Sequence, residues 1–135
     1  MTIPTDQDLM RHAERVGNAL QAAHKMLAVA ESCTGGYMCK VLTDIVGSSH
    51  WFDRGFITYA AQSKQDLLGV PADILMQHGA VSVATVQAMA EGVLANSQAH
   101  ISVAISGIAG PGGGSLDKPV GLVCFAWATR GGECR

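Results

Sequence analysis

A run of five apolar residues at positions 26–30 constrains the fold more than any other part of the sequence. It reads Met-Leu-Ala-Val-Ala and lies between two segments with helical periodicity. The periodicity before it comes from apolar residues three or four positions apart: Leu9, Ala13, Val16 and Leu20. A short apolar run between two helices is typical of a strand that is covered on both faces. The run therefore predicts a buried strand of a parallel or mixed sheet.

The rest of the chain continues this alternation of helices and strands. Thr5 and Asp8 have the spacing of a capping box, which predicts that the first helix begins near residue 6. Helices are predicted at 6–24, from the turn after Ser32 to about Asp44, and at 61–68, 71–77 and 83–96; strands are predicted at 26–30, 54–59, 101–105 and 120–129. An apolar fraction of 48% in 135 residues suffices for one well-buried domain. The sequence thus predicts an α/β fold, a three-layer α/β/α sandwich with a mixed, mostly parallel sheet.

The buried strand leads into Glu-Ser-Cys-Thr-Gly-Gly at 31–36, which places a hydroxyl where the strand turns into a helix. The first N–H groups of a helix lack intrahelical acceptors and its dipole is positive there, so an anion or oxyanion beside Ser32 is favoured. Gly35 and Gly36 allow a ligand close to the backbone because they have no Cβ. Ser32 is therefore a candidate nucleophile. The alternative is an N-cap followed by a tight turn.

Tyr59 and Lys64 mark a second strand end that could share a crevice with Ser32. Tyr59 closes the second predicted strand, and Lys64 follows five residues later on a short helix. Ligands of open α/β sheets bind at the carboxyl ends of strands. A lysine whose pKa is lowered by burial can remove the proton of a hydroxyl nucleophile. The alternative is that the Tyr59 ring closes the core and that Lys64 is solvated.

A third strand end, at Ser106, leads into the most glycine-rich segment of the chain. Consecutive backbone N–H groups at 110–115 could bind a phosphate, although a flexible connector explains the glycines equally well. The segment lacks the Gly-Lys-Ser/Thr ending of a P-loop, which disfavours a nucleoside triphosphatase. Cys33 is a competing nucleophile, but no histidine near it in the sequence suggests a base.

Composition and residue spacing disfavour several classes of function. A net charge of −2 with scattered acids and bases provides no basic face for nucleic acid. No apolar run reaches the roughly 20 residues of a spanning helix, and no leader peptide is visible, so we expect a cytoplasmic protein without membrane contacts. The four cysteines form no CxxC pair and the five histidines no HExxH pair. We therefore expect no metal and no other cofactor.

Several further motifs occur in a characteristic order. With the segment 30–36 they are Gly47-Ser48-Ser49, Tyr59 with Lys64, Leu68-Gly69-Val70, Gly79-Ala80-Val81-Ser82, Ala88-Met89-Ala90-Glu91-Gly92, Ser106-Gly107-Ile108-Ala109-Gly110-Pro111 and Lys118-Pro119-Val120-Gly121. Together they span residues 8 to 130 and closely resemble the C-terminal domain of CinA-type competence-damage proteins.

The resemblance implies an amidohydrolase that converts nicotinamide mononucleotide to nicotinic acid mononucleotide and ammonia. It implies Ser32 as the nucleophile, Lys64 as the base, acting directly or through Tyr59, and Tyr59 as an assisting residue. A nucleotide-binding or regulatory module with lost turnover is one alternative. A thiol hydrolase that uses Cys33 is another.

The resemblance also implies a set of substrate-binding residues. Backbone N–H groups around Thr34, Gly35 and Gly36 are expected to hold the oxyanion. Either the helix start or the glycine loop would supply donors to the phosphate. The expected contacts outside 34–36 are Ser48, Ser106, Gly107, Gly110, Gly112 and Gly113.

This sequence departs from the family pattern in two ways. Ser106 stands where the family commonly has threonine, which preserves a hydroxyl. Relatives continue through a closing strand and a helix, so we expect a single domain over 1–135 that lacks both, with impaired activity. A homo-oligomer is expected, most simply a dimer.

Overall fold

The structure, a computed structural model, describes residues 2–132 and 134–135. The four strands are β1 (Leu27–Glu31), β2 (Phe52–Ile57), β3 (Ile101–Gly107) and β4 (Val123–Thr129). The five α-helices are α1 (Asp6–Ala22), α2 (Tyr37–Thr43), α3 (Ala61–Leu68), α4 (Ala72–His78) and α5 (Val83–Ala95). A short 3₁₀ helix, Ser48–His50, lies between α2 and β2.

The strands form one mixed sheet in the order β2-β1-β3-β4. β1 pairs in parallel with both β2 and β3, and β4 pairs antiparallel with β3. The carboxyl ends of β1, β2 and β3 therefore meet at one edge of the sheet. The predicted three-layer α/β/α sandwich with a mostly parallel sheet is confirmed.

Helices cover the two faces of the sheet with different cores. Leu27 and Val29 of β1 face α1 and α2, whereas Ala28 and Ala30 face α3, α4 and α5. The apolar stripe of α5 is buried throughout, and its residues are Val86, Met89, Ala90, Val93 and Leu94. Burial of a large apolar side chain contributes roughly 1.5–3 kcal/mol relative to exposure, so α5 is a principal source of stability.

The first helix begins with the capping box that the sequence predicts. The Asp8 N–H donates to Thr5 Oγ1 at 3.1 Å, and the Thr5 N–H donates to Asp8 Oδ2 at 2.9 Å. Gly17 of this helix lies against the indole of Trp51, where a Cβ would approach the ring to 2.6 Å. Trp51 is 2% exposed, and it joins α1 to the loop before β2.

The structure moves several predicted boundaries. α2 begins at Tyr37, so a turn over 32–36 separates it from β1. β2 starts two residues earlier than predicted and ends at Ile57, because the Thr58 and Tyr59 carbonyls turn toward the Lys64 amine. β3 extends to Gly107, and β4 begins only at Val123.

Candidate active site

Ser32 directly follows β1 at the edge where the parallel strands end. Its N–H donates to Ile105 O of β3 at 3.1 Å, and its carbonyl accepts from the Gly35 N–H at 3.1 Å. These two bonds fix the residue between β3 and the turn that precedes α2. The side chain is almost enclosed, with 7% of the residue exposed.

The carboxylate of Glu31 occupies the amino end of α2. It accepts hydrogen bonds from the Met38 N–H at 3.0 Å, from the Cys39 N–H at 2.9 Å and from Thr34 Oγ1 at 2.6 Å. Burial opposes ionisation, but the bonds from these donors outweigh it and hold the pKa of Glu31 below its ordinary value of 4.5.

This arrangement corrects one expectation from the sequence. The first N–H groups of the helix after Ser32 were expected to be available to an anion, but the Glu31 carboxylate accepts from two of them, those of Met38 and Cys39. The Thr34 hydroxyl also turns toward Glu31. The helix start is therefore closed to a substrate phosphate or oxyanion.

The amine of Lys64, in the first turn of α3, lies beside the Ser32 hydroxyl. Lys64 Nζ is 3.2 Å from Ser32 Oγ, 2.5 Å from Thr58 O and 3.4 Å from Tyr59 O. The residue is fully buried. Burial lowers the pKa of Lys64 from 10.5, against a smaller opposing effect of Cys33, because desolvation penalises the ammonium form.

The three oxygen atoms around the amine can accept the three N–H groups of an ammonium, and the same arrangement also accommodates its neutral form. A neutral amine has two N–H groups and one lone pair, and the Thr58 and Tyr59 carbonyls can accept both N–H groups. The lone pair is then free to accept the proton of the Ser32 hydroxyl. The geometry orients a base toward a candidate nucleophile.

Tyr59 differs from the other two candidate catalytic residues in its surroundings. It lines the cavity in front of Ser32, but 75% of it is exposed. No described residue forms a hydrogen bond with its hydroxyl, and its contact with Lys64 is through the main-chain carbonyl. The contact between Ser32 and Lys64 is direct.

A cavity of about 390 Å³ opens in front of Ser32. Its walls come from the Ser32 turn, from Tyr59, from the connection between α4 and α5, and from the end of β3 with the glycine loop that follows. The lining residues are Ser32, Cys33, Tyr59, Ala80, Val81, Ser106, Gly107, Ile108, Ala109, Gly110, Gly112, Gly113 and Gly114. None of these residues is Asp, Glu, Lys, Arg or His, so the wall of the cavity contains no charged side chain.

Most of the expected substrate-binding residues lie at this cavity, and Ser48 does not. Gly107, Gly110, Gly112 and Gly113 line it, as does Ser106. The Ser106 hydroxyl donates to Ala80 O at 2.8 Å, so it holds the opposite wall in place. Ser48 lies before the start of β2, at the amino ends of the strands, and its hydroxyl donates to Thr43 O. Ser48 therefore does not line this cavity within a single copy of the chain.

One of the three expected oxyanion donors at 34–36 is already paired, whereas the N–H of Gly36, like that of Thr34, has no acceptor among the described residues. The Gly35 N–H is occupied by Ser32 O. Within the described part of the chain, the N–H groups of Cys33 and Thr34 have no acceptor, and they directly follow Ser32. These two groups are better placed to serve a developing oxyanion than the Gly35 N–H.

The two candidate nucleophiles, Ser32 and Cys33, differ in their surroundings. Cys33 is half-buried and lines the cavity, with its sulfur packed against Gly107, but no described group donates to it or accepts from it. Cys39 lies behind Glu31, and burial together with that carboxylate raises the pKa of its thiol to about 12. Of the two candidate nucleophiles, Ser32 and Cys33, Ser32 is the one with a basic side chain within hydrogen-bond distance among the described residues.

Two features are not found within residues 2–132 and 134–135: a helix that could span a membrane and a cluster of metal ligands. No helix there is both long and apolar enough to cross a membrane. No group of three or more His, Cys, Asp or Glu side chains in these ranges could hold a metal ion.

Comparisons with known proteins find a matching family model and similar sequences. The family model of the CinA C-terminal domain matches residues 9–135. Nicotinamide-nucleotide amidohydrolase PncC of Escherichia coli is 54% identical over 129 residues, which are 96% of this chain and 78% of that protein. The protein of the same name from Enterobacter agglomerans is 53% identical over 118 residues, 87% of this chain and 72% of its own length.

A solved structure shows the same fold. The competence/damage inducible protein CihA from Agrobacterium tumefaciens superposes with a TM-score of 0.92 at 46% sequence identity. The superposition covers 100% of this chain and 81% of that one.

Proposed function

Because the chain belongs to the CinA C-terminal domain family, we propose that it is a nicotinamide-nucleotide amidohydrolase. It hydrolyses the carboxamide of nicotinamide mononucleotide to a carboxylate and releases ammonia. The observation that carries the proposal is the Ser32–Lys64 contact of 3.2 Å at the cavity, in a chain 54% identical to a relative with that name.

In the acylation half of the reaction, Lys64 Nζ takes the proton of Ser32 Oγ as the oxygen attacks the amide carbon. The carbonyl oxygen gains negative charge, and the free N–H groups of Cys33 and Thr34 stabilise it. A donor of this kind is worth roughly 10²–10³ in rate. The lysine ammonium then gives its proton to the departing nitrogen, so ammonia leaves and an acyl ester on Ser32 remains.

In the second half, Lys64 removes a proton from a water molecule that attacks the ester carbon. The bond to Ser32 Oγ breaks and the proton returns from Lys64 to that oxygen. The pyridine carboxylic acid so formed gives its remaining proton to the solvent and leaves as the carboxylate, and the resting enzyme is restored. Each step uses only the groups named here and water.

The proposal is supported by the way Lys64 is held. A base must be partly neutral at the working pH, and burial favours the neutral amine. Two main-chain carbonyls fix its orientation, so little reorganisation is needed before proton transfer. Tyr59 in this scheme closes the cavity over the substrate and holds the amine through its carbonyl, with no proton passing through its hydroxyl.

The test is ammonia release from nicotinamide mononucleotide by the purified chain. Ser32→Ala should lower kcat at least roughly 10³-fold, since it removes the nucleophile. The matched control is Cys33→Ala, which removes the neighbouring sulfur and should keep most of the activity. An active Ser32→Ala variant with an inactive Cys33→Ala variant would replace the serine mechanism with the thiol mechanism. Saturable binding by the wild type without ammonia release would identify a binding module.

A further inference from the structure

Lys118 is not among the residues that line the cavity, but it contacts residues on two sides of the cavity rim, and neither the sequence motifs nor the proposed mechanism gives it a role in binding. It belongs to the glycine-rich segment between β3 and β4 and is half-buried. Its ammonium donates to His78 O, at the end of α4. Nζ also lies against Gly79, where it would be 3.0 Å from a Cβ. Gly79 directly precedes Ala80 and Val81, which form one wall of the cavity.

The main chain of Lys118 is tied to the opposite wall. The Ser115 N–H donates to Lys118 O at 2.8 Å, and the Lys118 N–H donates to Ser115 Oγ at 3.1 Å. Gly114, a lining residue, packs so closely that a Cβ there would approach Val120 N to 2.9 Å and Lys118 O to 3.2 Å. The side chain thus crosses the rim from the glycine loop to the connection between α4 and α5.

The ammonium has capacity for an anion. It has three donors, and one described contact uses one of them. No ion pair found among the described residues involves Lys118, so no described carboxylate neutralises it. The chain has a net charge of −2 and the cavity wall is uncharged, so a dianionic ligand needs a local cation.

The glycine loop offers further donors beside this cation. The N–H groups of Gly112, Gly113 and Gly114 have no acceptor in the described parts of the chain. Gly113 and Gly114 have φ values of +83° and +84°, a conformation that side chains other than glycine rarely adopt. Successive free N–H groups in such a loop form a concave site for anions.

We propose that Lys118 and the N–H groups of this loop bind the phosphate monoester of the substrate. This assignment rests on the proposed function, because it takes the substrate to be a nucleotide with its amide at Ser32. On binding, Lys118 keeps its place at the rim and directs its free donors to the phosphate oxygens. Lys118 is then the residue that distinguishes a nucleotide from the corresponding nucleoside.

The experiment compares two substrates that differ only in the phosphate: nicotinamide mononucleotide and nicotinamide riboside. Lys118→Ala should raise KM for the mononucleotide roughly 10- to 100-fold, the range of a charged hydrogen bond, with kcat little changed. The kcat/KM for the riboside should stay the same. Lys118→Arg should restore most of the affinity, because it keeps a cation with donors.

The matched control is Lys25→Ala, which removes the same charge from an exposed residue just before β1, at the far edge of the sheet. It should leave both substrates unaffected. Equal losses on both substrates in Lys118→Ala would show that Lys118 only fastens the loop to α4, and unchanged kinetics would show that it contributes nothing. Either result overturns the assignment.

Failure of the proposed function would be visible separately. If the wild type releases no ammonia from either compound, calorimetric binding of the two compounds to the wild type and to Lys118→Ala still tests the site. Weaker binding of the mononucleotide alone in the variant would support the assignment. Equal binding by both proteins would reject it.

Discussion

Lys64 is a buried amine whose surroundings contain three oxygen atoms and no carboxylate among the residues it contacts. At the residue scale, this environment determines how the reaction depends on pH. The pKa of Lys64 is lowered from 10.5 by burial, so the neutral form becomes available below that pH. In the proposed mechanism the free enzyme must hold neutral Lys64 to act, and kcat/KM should therefore rise with pH and level off before pH 10.5.

The corresponding variant is Lys64→Arg. A guanidinium keeps its proton at all working pH values, so activity should fall roughly 10²–10⁴-fold, the usual contribution of a general base. The measurement is a pH profile of ammonia release for both proteins. An arginine variant with wild-type rates and the same rising limb would remove Lys64 from the mechanism.

Glu31 provides a second prediction at this scale, which concerns stability. Glu31→Gln replaces a carboxylate oxygen, which accepts hydrogen bonds, by an NH₂ group that faces the N–H donors of α2. The free energy of unfolding should fall by about 2 kcal/mol at pH 7. The lowered pKa of Glu31 means that its contribution is complete above pH 4.5 and is lost as the pH falls through the folded value.

Urea unfolding at several pH values measures this effect. The difference between wild type and Glu31→Gln should be full at pH 7 and should shrink in acid below pH 4.5. Glu91→Gln, at an exposed site on α5, is the matched control and should change little at any pH. A constant difference across the whole range would mean that the carboxylate charge is not what stabilises the turn.

At the scale of elements, the position of Lys64 depends on how closely α3 approaches α5. A Cβ on Gly92 of α5 would lie 2.1 Å from Leu68 O, a main-chain atom at the end of α3. Lys64 is one turn before Leu68 on the same face of α3, so a displacement of Leu68 moves the amine as well.

Gly92→Ala should therefore affect stability and catalysis together. Overpacking of this kind costs about 1–3 kcal/mol, and the longer distance from Lys64 to Ser32 should lower kcat more than it raises KM. Unfolding in urea and steady-state kinetics measure the two effects. Gly112→Ala adds the same methyl group with nothing within 4 Å and is the control for stability. Normal kcat in a destabilised Gly92→Ala variant would show that the amine does not follow α3.

Some helix boundaries could be predicted from the sequence and others could not. Local sequence signals predicted α3 with its observed bounds and α5 to within one residue. The position of the α2 start was not predictable in this way. It depends on Glu31 turning back to cap the helix, and an acidic residue inside an apolar strand does not indicate where its side chain points.

At the scale of the whole molecule, the site depends on strand order. The sequence places Ser32, Tyr59 and Ser106 at strand ends, but only the order β2-β1-β3 brings these ends together. Lys118, which we propose as a phosphate ligand, was not predicted from the sequence. Its side chain contacts His78, which lies 40 positions earlier in the chain. A lysine in a glycine-rich loop has no local pattern that would predict such a contact.

The edge strand β4 leads to a prediction about self-association. From the sequence we expect a homo-oligomer, most simply a dimer. Val123, Phe125 and Trp127 lie on one face of β4 and are 37%, 55% and 51% exposed. A continuous apolar strip on an edge strand favours self-association, and a net charge of −2 opposes it only weakly. We expect two copies to pack through this face.

Sedimentation equilibrium tests this expectation. Trp127→Glu should shift the chain toward the monomer, because the charge cannot be desolvated in the interface. Val46→Glu makes the same kind of change at a residue that is 98% exposed beyond α2, and it should leave the distribution unchanged. Identical distributions for wild type and Trp127→Glu would place any association elsewhere on the surface.

The enclosure of the Lys64 side chain has a practical consequence for chemical labelling. Reagents that acylate amines can reach Lys25 and Lys40, which are exposed, and Lys118 more slowly, whereas Lys64 is fully buried. Dyes or solid supports coupled through surface amines should therefore spare the amine beside the serine. The protein could be immobilised while the amine of Lys64, the proposed proton acceptor, stays unmodified. Modification of Lys118 would be the first to show, as weaker binding of the nucleotide.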